Sequence, residues 1–197
     1  MKRIAIFGLS ANPPANHHIL IVRKLIRLFQ KVVIIPRGTD SNKPSTFETT
    51  PLQRKEMVRL AFHNLPNAEL DLSDLDENVF TPTWMLDKKY KAKFPNSEIW
   101  YVIGGDIVKD GSTNNSEIHK KWQKGSEIWE TLNWAIIDHP NYTINPPDLP
   151  PHNFLIKMDG FKGRSTTVRN RVISGQPING LIPPEIEEYI KKNNLYK

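Results

Sequence analysis

Arg3-Ile4-Ala5-Ile6-Phe7-Gly8-Leu9-Ser10-Ala11-Asn12-Pro13-Pro14-Ala15-Asn16-His17-His18 is the stretch on which the fold turns. Arg3 to Phe7, short and rich in β-branched and aromatic side chains, reads as a first strand that runs into a glycine turn. Ile19, Leu20, Val22, Leu25, Ile26, Leu28 and Phe29 then recur at helical spacing, and Val32 to Pro36 is a second short apolar run. Strand, glycine turn, crossover helix and strand make up the unit from which parallel sheets are built.

The rest of the chain repeats that alternation. After a polar loop from Arg37 to Thr50, Pro51 suits the first position of a helix that carries Met57, Val58, Leu60, Ala61 and Phe62. Glu69 to Leu72 reads as a short strand, Pro82 to Phe94 as a helix, and Glu98 to Ile103 as a strand stopped by Gly104-Gly105-Asp106. Asp110 to Ser116 is a polar loop, Trp122 to Thr131 a short helical region bearing Trp122 and Trp129, Asn133 to Ile137 a fifth strand, and Phe154 to Met158 a last one. Asp138 to Pro151 holds five prolines, which excludes a central strand or helix there and leaves a surface connection. Ser165-Thr166-Thr167 offers hydroxyl caps to a helix that Gly175 ends. The final helix starts at Pro183-Pro184, with Glu185, Glu187 and Glu188 early and Lys191-Lys192 late, as the helix dipole favours. The expected fold is therefore α/β, a Rossmann-like open and mostly parallel sheet with helices on both faces, formed by residues 1–197 as one domain.

Composition narrows the function. The chain has 197 residues, 38% hydrophobic and 24% charged, and no apolar run near the ~20 residues of a membrane span, so no membrane partner is expected. It has no cysteine, which excludes disulfides, thiolate metal sites and cysteine nucleophiles and fits a cytoplasmic setting. The net charge of +6 suits anionic small molecules; basic residues alternate with acids, as in Lys55-Glu56, which argues against a dedicated nucleic-acid surface. His63, His119, His139 and His152 show no ligand-like spacing, so no protein-bound metal is expected.

Two segments carry the chemistry. Gly8 to His18 ends a strand and opens a helix, whose free N–H groups and positive dipole end favour a phosphate, with a first-turn histidine as a further donor. Gly163-Arg164-Ser165-Thr166-Thr167-Val168-Arg169 repeats the idea: hydroxyls at a helix start, with Arg169 one turn on from Ser165. Gly104 and Asp106 close a strand where open α/β sheets bind ligand, and Asp106 is a candidate for a ribose or base contact. Trp84 and Trp122 could stack on a ligand ring or pack in the core; Trp100, Trp129 and Trp134 read as structural.

On these residues the chain resembles the nicotinate-mononucleotide adenylyltransferases of the nucleotidylyltransferase superfamily. The first segment is similar to GGxFDPxHxGH, with Gly8, Ser10, Pro13 and His18 in place, and the second to ISSTxxR, with Ser165, Thr166 and Arg169 in place. Lys43 in the loop after the second strand, Arg54 and Met57 as R-x-x-M, Phe80-Thr81, Gly104-Gly105-Asp106, Trp122 and the ending Leu181-Ile182-Pro183 to Leu195-Tyr196 follow in the family's order. The chain departs from the motif where Ala15 replaces the first histidine, His17 the glycine, Leu9 the second glycine and Asn12 the aspartate. His17 is not expected to substitute for the missing histidine, because adjacent helical residues point about 100° apart; Arg164 or Lys43 are the candidates.

The resemblance implies adenylyl transfer from ATP, accompanied by Mg²⁺, to the 5′-phosphate of nicotinate mononucleotide, releasing pyrophosphate. It implies His18 and Arg169 as catalytic residues, Gly8, Leu9, Ser10, Lys43, Gly104, Asp106, Ser165 and Thr166 as nucleotide-binding, and Arg54, Thr81, Trp84 and Trp122 as acceptor-binding. A transferase with another phosphate acceptor, such as nicotinamide mononucleotide, and a nucleotide-binding protein impaired in catalysis remain alternatives, and the oligomeric state stays open.

Overall fold

The computed structural model describes residues 1–41, 43–138, 143–158, 160 and 163–197. Six strands form one sheet in the order β3-β2-β1-β4-β5-β6, with β1 at Lys2–Leu9, β2 at Lys31–Pro36, β3 at Ala68–Leu70, β4 at Ser97–Gly104, β5 at Asn133–Asp138 and β6 at Asn153–Lys157. The pairings of β1 with β4, β2 with β3, β4 with β5 and β5 with β6 are all parallel. This strand order is that of the doubly wound dinucleotide-binding sheets, in which the direction of travel reverses after the third strand. The expected α/β class and parallel sheet are thus what the chain forms, with strand limits within about two residues of those read from the sequence. β3 is the exception in length: Ala68–Leu70 replaces Glu69 to Leu72, because Asp71 and Ser73 fold into a local turn in which the Asp71 carboxylate accepts from the Ser73 N–H at 3.1 Å.

Contacts within the chain divide it into two compact units. The first comprises residues 1–7, 29–31 and 81–161 and contains most of β1 with β4, β5, β6, α4 (Thr83–Lys93), α5 (Glu117–Lys121) and α6 (Gly125–Thr131). Trp134 and Ala135 are fully buried in it, and the Arg3 guanidinium lies 5.0, 4.8 and 4.9 Å from the rings of Phe29, Trp100 and Phe154. Trp100, Trp129 and Trp134 are packed as the sequence suggests. Trp122 is not on a helix. It follows the end of α5 in extended conformation, and Lys124 turns left-handed at φ 57° before α6 begins. Gly125 allows this, since a Cβ there would lie 2.1 Å from the Ile118 carbonyl. A 3₁₀ turn, Gly111–Thr113, replaces part of the expected loop, fastened by the Asp148 carboxylate, which accepts from the Ser112 hydroxyl at 2.6 Å and its N–H at 3.1 Å. Those bonds hold Asp148 below the usual carboxylate range. In the proline-rich connection, residues 139–142, and with them His139, lie outside the described residues.

The second unit comprises residues 8–28, 32–80 and 162–197. It contains β2, β3, α1 (Asn16–Leu28), α2 (Pro51–Phe62), α3 (Ser73–Asp76), α7 (Ser165–Ile173) and α8 (Pro184–Lys192). α2 starts where Pro51 was expected to start it, with Thr50 and Gln53 exchanging side-chain-to-backbone bonds of 3.2 and 2.9 Å in a capping box. Gly175 follows α7 in the left-handed conformation at φ 65°. Its core joins Ala15 to Met57 of α2, Val168 of α7 and Ile186 and Ile190 of α8, each 0–2% exposed. Burying the larger of these side chains stabilises by about 1.5–3 kcal/mol apiece, so α2, α7 and α8 are held as one body against the residue that precedes α1. Among the described residues, no helix is long and apolar enough to cross a membrane.

Candidate functional site

Both phosphate-type segments fall in the second unit, and the fold brings them into contact. The Ser165 hydroxyl donates to the Pro13 carbonyl at 2.9 Å, and Arg169 Nη1 donates to the Asn12 carbonyl at 2.8 Å. Asn16 Nδ2 donates to the Gly180 carbonyl at 2.9 Å, and the Asn16 N–H to the Leu181 carbonyl at 2.9 Å. The start of α1 and the start of α7 are therefore fixed against one another by side chains that grip backbone. Ser165 does not cap α7. Arg164 occupies the cap position with no side-chain cap, so Ser165 is already the first helical residue and its hydroxyl reaches across to the other segment. Thr166 is exposed beside it.

Gly8 is exposed, and a Cβ there would meet nothing within 4 Å, so the end of β1 presents bare backbone. Leu9 is buried and its carbonyl accepts the Arg37 N–H at 3.0 Å, while Ser10 is half-buried. His18 Nδ1 accepts the Ala15 N–H at 3.0 Å. Burial, with the neighbouring His17 second, holds the His18 pKa well below the ordinary histidine value. The ring is thus neutral at pH 7 with its hydrogen on Nε2, a donor, which is the form that can hydrogen-bond an anion without carrying charge.

Ala15, at the place of the first motif histidine, is 0% exposed and part of the apolar core. His17 bonds through Nδ1 to the Gly163 carbonyl, and its ring centroid lies 3.7 Å from that of His18, tilted by 39°. The expected divergence of the two side chains does not extend to their rings: in the first helical turn no preceding turn crowds the rotamers.

Arg54 is 0% exposed. Its Nη1 donates to the carbonyls of Arg37 at 2.5 Å, Gly38 at 3.3 Å and Ser10 at 3.4 Å, while Nε and Nη2 are buried without a hydrogen-bond partner among the described residues. Burial lowers its pKa to about 10, which leaves it charged at neutral pH. Lys43 is exposed just before the 3₁₀ turn Pro44–Phe47. Glu48, which sequence reasoning passed over, forms an ion pair with Arg169 Nε at 2.5 Å. No local signal marks this pair, since the partners come from distant segments.

The remaining candidates lie in the first unit. Gly104 ends β4, and the Asp106 carboxylate folds over it so closely that a Cβ on Gly104 would sit 2.4 Å from Oδ1. Asp106 is otherwise exposed. Trp84 on α4 donates from Nε1 to Gln123 Oε1 at 3.1 Å, with the ammonium groups of Lys88 and Lys124 at 5.0 and 4.8 Å from its ring. Trp122 is half-buried, 6.0 Å from the Trp134 ring, and Thr81 lies two residues before α4. Among the described residues, no three His, Cys, Asp or Glu side chains converge as a metal cage requires.

The second unit thus joins two helix starts, through Ser165 with Pro13 and Arg169 with Asn12, beside bare backbone at the end of β1, and free backbone N–H groups at helix starts are what phosphate groups bind in general. Comparison with known proteins agrees. A family model described as cytidylyltransferase-like matches residues 6–171, and the chain belongs to that family of nucleotidyltransferases. At the level of individual proteins, it is 25% identical to the nicotinate-nucleotide adenylyltransferase of Bacillus subtilis over the whole of both chains. It is 28% identical to a probable nicotinate-nucleotide adenylyltransferase of Citrifermentans bemidjiense, with 98% of each covered. Among solved structures, the Plasmodium falciparum nicotinic acid mononucleotide adenylyltransferase complexed with NaAD superposes with a TM-score of 0.80 at 23% identity, covering 100% of this chain and 98% of the other.

Proposed function

We propose that this protein transfers the adenylyl group of ATP to nicotinate mononucleotide, forming nicotinate adenine dinucleotide and pyrophosphate in the cytoplasm. An oxygen of the acceptor's 5′-phosphate forms a bond to the α-phosphorus, the bond from that phosphorus to the bridging oxygen breaks, and pyrophosphate leaves. The observation that carries this reading is the junction of the two motif segments through Ser165 with Pro13 and Arg169 with Asn12. Reactions of this kind need positioning and charge neutralisation more than a nucleophilic side chain.

In this reading, backbone at Gly8, Leu9 and Ser10, the Nε2–H of His18, Lys43, Ser165, Thr166 and Arg169 receive the triphosphate, whose Mg²⁺ arrives with it. For the nucleoside the resemblance offers Gly104 and Asp106, and for the acceptor Thr81, Trp84 and Trp122, all of them in the first unit. Arg54, gripping the carbonyls beyond β1 and β2, holds that backbone in place, and its buried charge is the one the resemblance assigns to the acceptor. Ala15 removes one donor of the family's motif, and the loss of one such donor lowers turnover by about 10²–10³-fold; slow but real turnover is expected.

The test is pyrophosphate release from Mg-ATP with a panel of acceptors. Nicotinate mononucleotide is expected to give the highest kcat/KM. Preference for nicotinamide mononucleotide or another phosphate moves the acceptor, and tight ATP binding without release from any of them overturns the enzymatic reading.

A further inference from the structure

Asn12 is a junction that phosphate binding by itself does not explain. Its Oδ1 accepts from the Thr49 hydroxyl at 2.6 Å and from the Tyr196 hydroxyl at 2.5 Å, its Nδ2 donates to the Ser45 carbonyl, and its own carbonyl accepts Arg169 at 2.8 Å. Four pieces of chain meet there: the turn after β1, the segment between Lys43 and α2, α7, and the residues beyond α8. Asn12 is 1%, Thr49 6% and Tyr196 9% exposed, so each bond is shielded from water, where breaking it is costly. The Tyr196 ring packs in the core with Met57 and Ala15, and its hydroxyl, kept protonated by burial, is a donor. An aspartate, which the family's motif carries at this place, could not donate to the Ser45 carbonyl. The amide of Asn12 thus ties the segment that bears Lys43 to the turn after β1.

We infer that Tyr196 is a positioning residue. Acting through Asn12, it keeps the turn at residues 10–14 and the segment at residues 43–49 in register with Arg169, so that Lys43 and Arg169 engage the same triphosphate. This rests on the nucleotidyl-transfer reading above. It differs from a packing role, which the ring alone would fulfil.

Tyr196→Phe keeps the ring and removes the hydroxyl. Amide hydrogen exchange of the ligand-free protein is expected to quicken about fivefold over residues 43–50, the factor of one buried hydrogen bond, with β5 unchanged. The KM for ATP is expected to rise about fivefold, with kcat and the acceptor KM within twofold. Thr49→Val, which removes the other donor to Asn12, should reproduce both effects if Tyr196→Phe folds poorly. Exchange and KM within 1.5-fold of the parent, or an equal acceleration of exchange everywhere, overturns the inference. If the parent protein turns over no acceptor, the transferase reading fails, and the exchange experiment still decides the role of Tyr196.

Discussion

The candidate site residues of the second unit and those of the first are held by different means. In the second unit the side chains grip main chain: Ser165, Arg169, Arg54 and Asn16 each donate to carbonyls of other segments, and His18 accepts from the Ala15 N–H. In the first unit Trp84 and Trp122 are placed by rings, ammonium groups and a glutamine, and Asp106 is exposed. Backbone-gripping side chains lose their geometry as a set when one is removed, whereas a half-exposed ring can tilt and still stack. In the transferase reading proposed above, the first arrangement serves a triphosphate that must be met identically at each turnover, and the second an acceptor whose ring is chosen by fit.

That contrast can be broken most sharply at Arg169. Replacement by alanine should lower kcat/KM for pyrophosphate release by about 10²–10³-fold, and Arg169→Lys should recover less than a tenth of the loss, because an ammonium cannot reach Glu48, the Asn12 carbonyl and a phosphate together. A loss smaller than fivefold would place Arg169 outside the chemistry. His18→Ala should cost about 10²-fold in kcat; steady-state turnover within threefold of the parent would remove His18 from the site. For the first unit, Trp122→Ala should raise the KM for the mononucleotide by about tenfold, the value of one stacking contact, and leave the KM for ATP alone. A parallel rise in both would mean that the indole supports the fold and not the acceptor.

The smallest effect is on stability. The folded His18 has a pKa below that of the unfolded chain, about 6.5. Below that value the unfolded chain binds the extra proton and the folded one does not. The contribution of His18 is therefore full above about pH 6.5 and declines as pH falls toward the folded pKa, with a slope of up to about 1.4 kcal/mol per pH unit. Denaturant titrations at pH 7 and 5.5 should show a shallower acid loss in His18→Gln than in the parent; equal losses would show that the half-buried ring does not oppose protonation.

Where local rules decide, the sequence was legible. Pro51 announces the start of α2, Gly175 the stop of α7, and the apolar runs the strands, because helix starts, left-handed glycines and the continuous burial of parallel strands depend on a few neighbouring residues. The two motif segments were legible as helix starts, and residues of both do meet. Reading failed where a residue's partner is remote. Trp122 leaves the helix because Gly125 lies against Ile118, Ser165 gives its hydroxyl to Pro13 in place of its own helix, and the His17 and His18 rings converge beside Gly163.

By itself the sequence determined the alternation of strands and helices, the two phosphate-type helix starts and the absence of a histidine at Ala15, since these are properties of residue type and spacing. Only the tertiary structure decided that Arg169 would share Asn12 with Tyr196 and pair with Glu48, and that Arg54 would be buried with two of its nitrogens unmatched. The two bonds to Asn12 join residues 157 and 184 positions apart. Sequence spacing carries no record of such separations; packing of α2, α7 and α8 around one core does.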